Sequence, residues 1–209
     1  MTPIVPIFAS LVFAASVAHA DQYANKQQRA ALEIIDPEVP GASSFVFYCS
    51  PQTHCGGERY TVRPDGRKEV TFQYGEHNII RFWPEGKDYR LDHIQAKTGK
   101  VTHMTLQQTA SKPMAIPDLS LFNPNWGAKG TRVTIEGDHV SYCFDADPCD
   151  SGAVYVVGDR VILANIGHGN FLLVGRFGPD KSGKAQYSVS FHRSDGQSFQ
   201  APFLVEDKK

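Results

Sequence analysis

The sequence predicts an all-β protein: an internally duplicated antiparallel sandwich or set of barrel-like sheets, with a short N-terminal helix and local disulfides. Three observations carry this. Four cysteines fall into two pairs at the same interval, Tyr48-Cys49 with Cys55 and Tyr142-Cys143 with Cys149. Short stretches such as Val70-Thr-Phe-Gln-Tyr74 and Ala185-Gln-Tyr-Ser-Val-Ser-Phe191 alternate apolar and polar residues, the period of a half-buried strand. The surroundings of the cysteines also recur in order. Tyr60 after Cys55 is answered by Tyr155 after Cys149, His77-Asn78 by His168 and Asn170, Arg81-Phe82-Trp83-Pro84-Glu85 by Arg176-Phe177-Gly178-Pro179-Asp180, and Tyr89 by Tyr187.

Residues 1–20 have the character of a signal peptide. Ile7 to Val17 is an apolar run, no charged side chain precedes it, and Ala18-His19-Ala20 offers the small-x-small pattern of a cleavage site, so the mature chain is expected to begin at Asp21. The run is shorter than the roughly 20 apolar residues of a membrane span. No later stretch approaches a span, so no transmembrane segment is expected after cleavage.

Residues 21–43 form the helix and lead-in. Tyr23 to Ile35 is rich in helix formers, with Ala31, Ile34 and Ile35 as a narrow apolar stripe, and Asp36-Pro37 ends the pattern. Residues 44–110 make the first β repeat and 131–206 the second. Within the second, Arg132–Glu136 and His139–Tyr142 flank Gly137-Asp138, a two-residue hairpin loop with Gly first. Val154–Val157 and Phe171–Val174 are continuous apolar runs, expected to be strands buried on both faces. Between the repeats, 111–130 is a proline-rich connecting segment expected to pack along the surface with little regular structure.

In an exported chain the four cysteines point to structural disulfides, and the local pairing Cys49–Cys55 and Cys143–Cys149 gives each repeat its own clip. Redox chemistry favours Cys-x-x-Cys spacing, which is lacking, and the His54 that would join a zinc site has Pro148 as its counterpart. The net charge is -1 over 209 residues, with both signs interspersed, so neither a nucleic-acid footprint nor an anionic membrane surface is indicated.

No nucleophile elbow, zinc-protease helix motif or phosphate loop occurs, and no catalytic residue, metal or cofactor is assigned. His77 and His168 sit at matching places beside an Asn, as two imidazoles of one site or as turn caps, the latter being favoured. His93, His103, His139 and His192 are expected on solvent faces of strands. Asp145, Asp147 and Asp150 read as a solvated turn rather than a calcium loop, lacking the glycine and terminal Glu of an EF-hand.

The candidate binding residues are Arg81, Trp83, Trp126, His168, Asn170 and Arg176, because Trp and Arg dominate interface hot spots. A structural use of the arginines is pairing with Glu85 and Asp180 to hold a turn. Together these features lead to the expectation of an exported, periplasmic or secreted binding protein whose partner is a protein or an envelope glycan, one subclass being an inhibitor or immunity protein against an envelope hydrolase. Two further readings are a metal-dependent or histidine-based hydrolase and a structural component of an envelope assembly.

Overall fold

The computed structural model describes residues 18–19, 21–36, 44–50, 54–72, 77–110, 113–114, 119–123, 131–144, 149–158, 160–179, 185–201 and 205–206. Their regular structure is entirely β. In chain order the strands are β1 (Ala18–His19), β2 (Asp21–Asn25), β3 (Ala30–Ile35), β4 (Phe45–Ser50), β5 (His54–Arg59), β6 (Thr61–Val62), β7 (Lys68–Thr71), β8 (Ile79–Glu85), β9 (Asp88–Ile94) and β10 (Val101–Thr109). They continue with β11 (Leu119–Asn123), β12 (Thr131–Glu136), β13 (His139–Phe144), β14 (Asp150–Val157), β15 (Val161–Asn165), β16 (Phe171–Pro179), β17 (Ala185–His192), β18 (Ser198–Ala201) and β19 (Val205–Glu206).

The helix expected over 23–35 is instead the hairpin β2–β3. Its turn places Arg29 at φ 53°, and the Gln28 N–H donates to Asn25 Oδ1 at 2.9 Å. The reason lies on both faces of β3. Ala30, Leu32 and Ile34 enter one apolar cluster, while Ala31 and Ile35 pack with another. A strand buried on both sides loses its alternation, and three of its apolar residues then mimic a helical stripe. A helix preference worth at most about 0.7 kcal/mol per residue is small beside roughly 1.5–3 kcal/mol for each large apolar side chain buried.

The strands form two curled antiparallel sheets. The first, in the order β5-β4-β3-β2-β10-β9-β8-β7-β6, comes close to a closed barrel. Strand β10 pairs with β9 through residues 101–106 and with β2 through 107–109, and the two edge strands β5 and β6 are separated only by Tyr60. Its interior is filled by side chains from around the ring, among them Tyr23, Leu32, Val46, Tyr48, Tyr60, Phe72, Ile80, Phe82, Leu91 and Leu106.

The second sheet runs β18 to β11 in sequence order, with β19 beyond β11 and β1 alongside β14 in parallel. Strand β11 lies inside the segment expected to be irregular, and the neighbouring Met114 is buried in the core of this sheet.

The two sheets share one register plan. Tyr48 faces Gly56 as Tyr142 faces Asp150, and each pair lies next to a disulfide, Cys49–Cys55 or Cys143–Cys149, with Cα–Cα distances of 4.0 and 4.2 Å. The ladder then continues with Tyr60 N–H to Ser44 O at 3.2 Å and with Val154 N–H to Asp138 O at 2.8 Å. At this point the strand of the first sheet breaks into β5 and β6, whereas β14 carries a bulge at Tyr155. Tyr60 therefore corresponds to Val154 and not to Tyr155. Further on, Phe72 N–H donates to Asn78 O as Ile166 N–H donates to Asn170 O. Counting from those asparagines, Arg81 corresponds to Leu173 and not to Arg176, while Tyr89 and Tyr187 do match. The Gly137-Asp138 hairpin is present, with Gly137 at φ 61°.

A third apolar cluster joins the sheets. Ile35, Phe45, Phe47 and Cys49 of the first pack against Val161, Leu163, Phe171 and Leu173 of the second. This seam explains the continuous apolar run Phe171–Val174, while Val154 lies in the second sheet's own core and the side chains of 155–157 lie outside the described residues. On β16, Phe171 and Leu173 face the seam while Leu172 and Val174 face the second sheet's own core.

Candidate functional site

Two places concentrate polar chemistry: the outer face of β6 to β9, and the seam. The outer face begins with the turn Arg63-Pro64-Asp65-Gly66-Arg67. Arg63 N–H donates to Arg67 O at 2.8 Å, Gly66 N–H to Arg63 O at 2.9 Å, and Gly66 takes φ 80°, a value open to glycine at no steric cost. Asp65 Oδ1 accepts the Arg67 N–H at 3.1 Å, which fixes the turn.

Strand alternation then sends Val70, Ile80 and Phe82 into the core and leaves Glu69, Arg81 and Trp83 half-buried on the outside. Glu69 lies directly across from Arg81, and Trp83 across from Arg90. Arg81 Nε donates to Glu69 Oε2, and Arg63 Nη1 donates to the same oxygen at 2.8 Å. The Arg81 hydrogen bond, reinforced by Arg63, holds the Glu69 carboxyl below its ordinary range against a smaller opposing effect of burial. The Arg67 guanidinium stacks 4.3 Å from the centroid of the Trp83 ring. Glu85 pairs with Arg90 at 2.5 Å, so the expected Arg81–Glu85 turn clasp is not made. An indole backed by a guanidinium and framed by ordered ion pairs is a pre-organised flat platform.

The remaining candidates lie elsewhere. Gly167, His168 and Gly169 all take positive φ (86°, 52° and 74°), and His168 is exposed. Asn170 closes this turn with its N–H to Gly167 O, and its Oδ1 accepts the Ser194 N–H at 2.9 Å, tying two turns together. His77 takes φ 51°, so both histidines occupy left-handed turn positions, but counted from the paired asparagines His77 answers Gly169 and not His168, which corrects the expected match. Arg176 starts the bulge of β16 opposite Tyr187. Trp126, Asp145, Asp147 and Asp180 lie outside the described residues. Of the six binding candidates, Arg81 and Trp83 share the outer face of β8, and His168 and Asn170 share a turn of the second sheet.

The seam was not legible as a site. Of the four histidines expected on solvent faces, His103 and His139 are exposed, but His93 and His192 are each 1 % exposed. His93 faces the first sheet's interior, its ring 6.0 Å from that of Tyr48, and burial lowers its pKa. His192 belongs to the seam, with its ring edge-on to Phe45 at 5.0 Å.

Around His192 runs a chain of side chains from both sheets. Ser190 Oγ is 3.0 Å from His192 Nε2, His192 Nδ1 is 3.5 Å from Glu58 Oε2, and Ser198 Oγ donates to Glu58 Oε1 at 3.0 Å. Burial raises the Glu58 carboxyl to about 7, against opposing hydrogen bonds from Ser198 and the Arg59 backbone and the Arg59 charge. Burial, helped by the Arg59 charge, lowers His192 to about 3. The Arg59 guanidinium lies 5.6 Å from the Phe45 ring centroid and 5.9 Å from that of Phe171, and its Nη2 donates to Gly169 O at 3.4 Å. The order hydroxyl, imidazole, carboxyl is that of a hydrolytic triad, but Ser190 is 2 % exposed, which keeps substrate from its oxygen.

Among the described residues no group of three or more His, Cys, Asp or Glu side chains is placed to hold a metal ion, and no helix is long and apolar enough to cross a membrane. No family model matches the chain, nor does any curated protein or solved structure. The functional reading therefore rests on geometry.

Proposed function

We propose that this chain is an exported binding protein that engages a protein partner through the platform formed by Arg67 of the β6–β7 turn and Trp83 of β8, in the manner of an inhibitor or immunity protein directed at an envelope hydrolase. The observation that carries the reading is positional. The matching face of the second sheet, built on β15 and β16, is the one that docks the first sheet. In the first sheet that face carries Trp83 under Arg67 rather than an apolar patch, a composition suited to a reversible partner. The two disulfides accord with an oxidising compartment, and so with the periplasmic or secreted residence in this proposal.

The test is affinity capture from a native envelope extract, read by mass spectrometry, with the wild type beside Trp83→Ala and Arg67→Ala. A partner recovered by the wild type and lost in both variants supports the platform. Equal recovery with all three proteins removes it.

A second reading, an envelope hydrolase, is favoured by the order Ser190, His192, Glu58 across the seam. Fluorophosphonate labelling of Ser190 in the native protein supports that reading, and its absence under native conditions counts against it. We also infer that the two sheets are copies of one unit, on the strength of their shared register, disulfide placement and left-handed turns.

A further inference from the structure

We propose that between about pH 4.5 and 6.5 the seam closes by an internal proton transfer: as the two sheets dock, His192 gives up its proton and Glu58 takes one, so that the buried pair is neutral and closure exchanges no net proton with solvent. The basis is geometric. Glu58 comes from β5 and His192 from β17. They stand 3.5 Å apart and are 4 % and 1 % exposed. β17 supplies Ser190 on the far side of the imidazole, β18 supplies Ser198 on the far side of the carboxyl, and β4 and β16 supply the Phe45 and Phe171 rings. Arg59 is the charge that acts on both groups, and Arg193 and Asp195 in the next turn pair with each other at 3.1 Å.

Burying a charged carboxylate beside a charged imidazolium costs more than burying the neutral acid and neutral base, because each ion is stripped of water. In the parted or unfolded chain between about pH 4.5 and 6.5, the ordinary values of the two groups, Glu58 is ionised and His192 is protonated. The closed pair holds the same number of protons, with the proton now on the carboxyl oxygen and not on the imidazole nitrogen. One N–H bond is broken and one O–H bond formed, and the charges cancel.

The signs follow from linkage. Glu58 is raised from 4.5 to about 7, so its contribution to stability is full below 4.5 and is lost as pH rises towards about 7. His192 is lowered from 6.5 to about 3, so its contribution is full above 6.5 and is lost as pH falls towards about 3. Between 4.5 and 6.5 the two slopes oppose and cancel, and each hides the other.

The test is the urea unfolding equilibrium of the oxidised full chain across this range, for the wild type, Glu58→Gln and His192→Phe. The result read is each variant's pH slope relative to the wild type, so a constant loss from altered packing does not matter. Relative to the wild type, Glu58→Gln gains about tenfold in folded-to-unfolded ratio per pH unit as pH rises from 4.5 to about 7. His192→Phe gains about tenfold per unit as pH falls from 6.5 towards about 3. Parallel curves, or slopes of the same sign, overturn the proposal. Should a variant not fold, nitrogen-15 NMR of the wild-type imidazole decides. A neutral His192 ring at pH 5.5 in the folded protein supports the transfer, and an imidazolium there refutes it.

Discussion

Glu69 and Arg81 face each other across β7 and β8 of the first sheet, as Leu163 and Leu173 face each other across β15 and β16 of the second. One pair is an ion pair at the surface. The other is buried against Phe45 and Phe47. The backbone ladder is alike in the two places, and so is the alternation that fills each interior. The inward residues are apolar in both, whereas the outward residues differ in character, and these decide whether a sheet face meets water or another sheet. The contact is also one-sided. The first sheet docks with β3 to β5 and the second with β15 to β18, so the same surface is not used twice. At the positions that answer Ile35, Phe45 and Phe47, the second sheet carries Glu136, His139 and Ser141, the first two exposed and the last half-buried. A contact of this head-to-tail kind propagates when its surfaces repeat, and at these three positions the second sheet presents polar residues in place of apolar ones.

This contrast can be broken most severely by moving the charge of one face into the other. Leu173→Arg places an unpaired cation in the seam and should cost on the order of 3–5 kcal/mol, measured by urea unfolding. Adding Leu163→Glu should recover part of that loss by recreating the Glu69–Arg81 pair, while leaving the protein less stable than wild type because Phe45 and Phe47 lose their cover. Full recovery would mean that the seam tolerates ions and that its apolar character is incidental.

The two disulfides sharpen the comparison at smaller scale. Each closes a short loop worth roughly 2–2.5 kcal/mol in the chain-entropy model. Cys49, however, is 5 % exposed within the seam cluster, whereas Cys149 is exposed. Replacing Cys49 and Cys55 by Ala should therefore destabilise more than replacing Cys143 and Cys149. Under limiting reductant Cys143–Cys149 should open first, as peptide mapping after alkylation would reveal. The smallest effect belongs to the surface ladder. Arg81→Ala should change stability by less than about 1 kcal/mol, since partly exposed ion pairs contribute little, and a larger loss would show that Glu69 depends on it structurally.

How far the sequence carried these conclusions depended on burial. Where one face is wet, as in Val70–Thr71 and Ile79–Trp83, alternation survives and strands can be read directly. The cysteine interval gave the disulfides, because two residues directly opposite in a hairpin must be near each other in sequence. The seam strands were harder. Phe45–Cys49 and Phe171–Val174 are apolar throughout, which announces burial on both sides without naming the partner. In β3 the same double burial turned a strand into an apparent helix. Glu58 and His192 stand 134 positions apart in the chain, and nothing local links an acid on β5 to an imidazole on β17. The repeat matches in sequence also misplaced Arg176, because the bulges and unequal turns shift the register by a few residues.

The most direct test of the seam is a double-mutant cycle at its closest approach. A Cβ added at Gly57 would lie 2.5 Å from a Leu173 methyl carbon. Gly57→Ala alone should cost about 1–3 kcal/mol by overpacking, and Leu173→Ala alone about 2–5 kcal/mol by leaving a cavity. Combined, the new methyl enters the space the leucine vacates, so the account predicts a double variant more stable than the sum of the single losses implies, by at least about 0.5 kcal/mol. Strictly additive losses would mean that β5 and β16 do not touch in solution, and the picture of two sheets joined by this seam would be wrong.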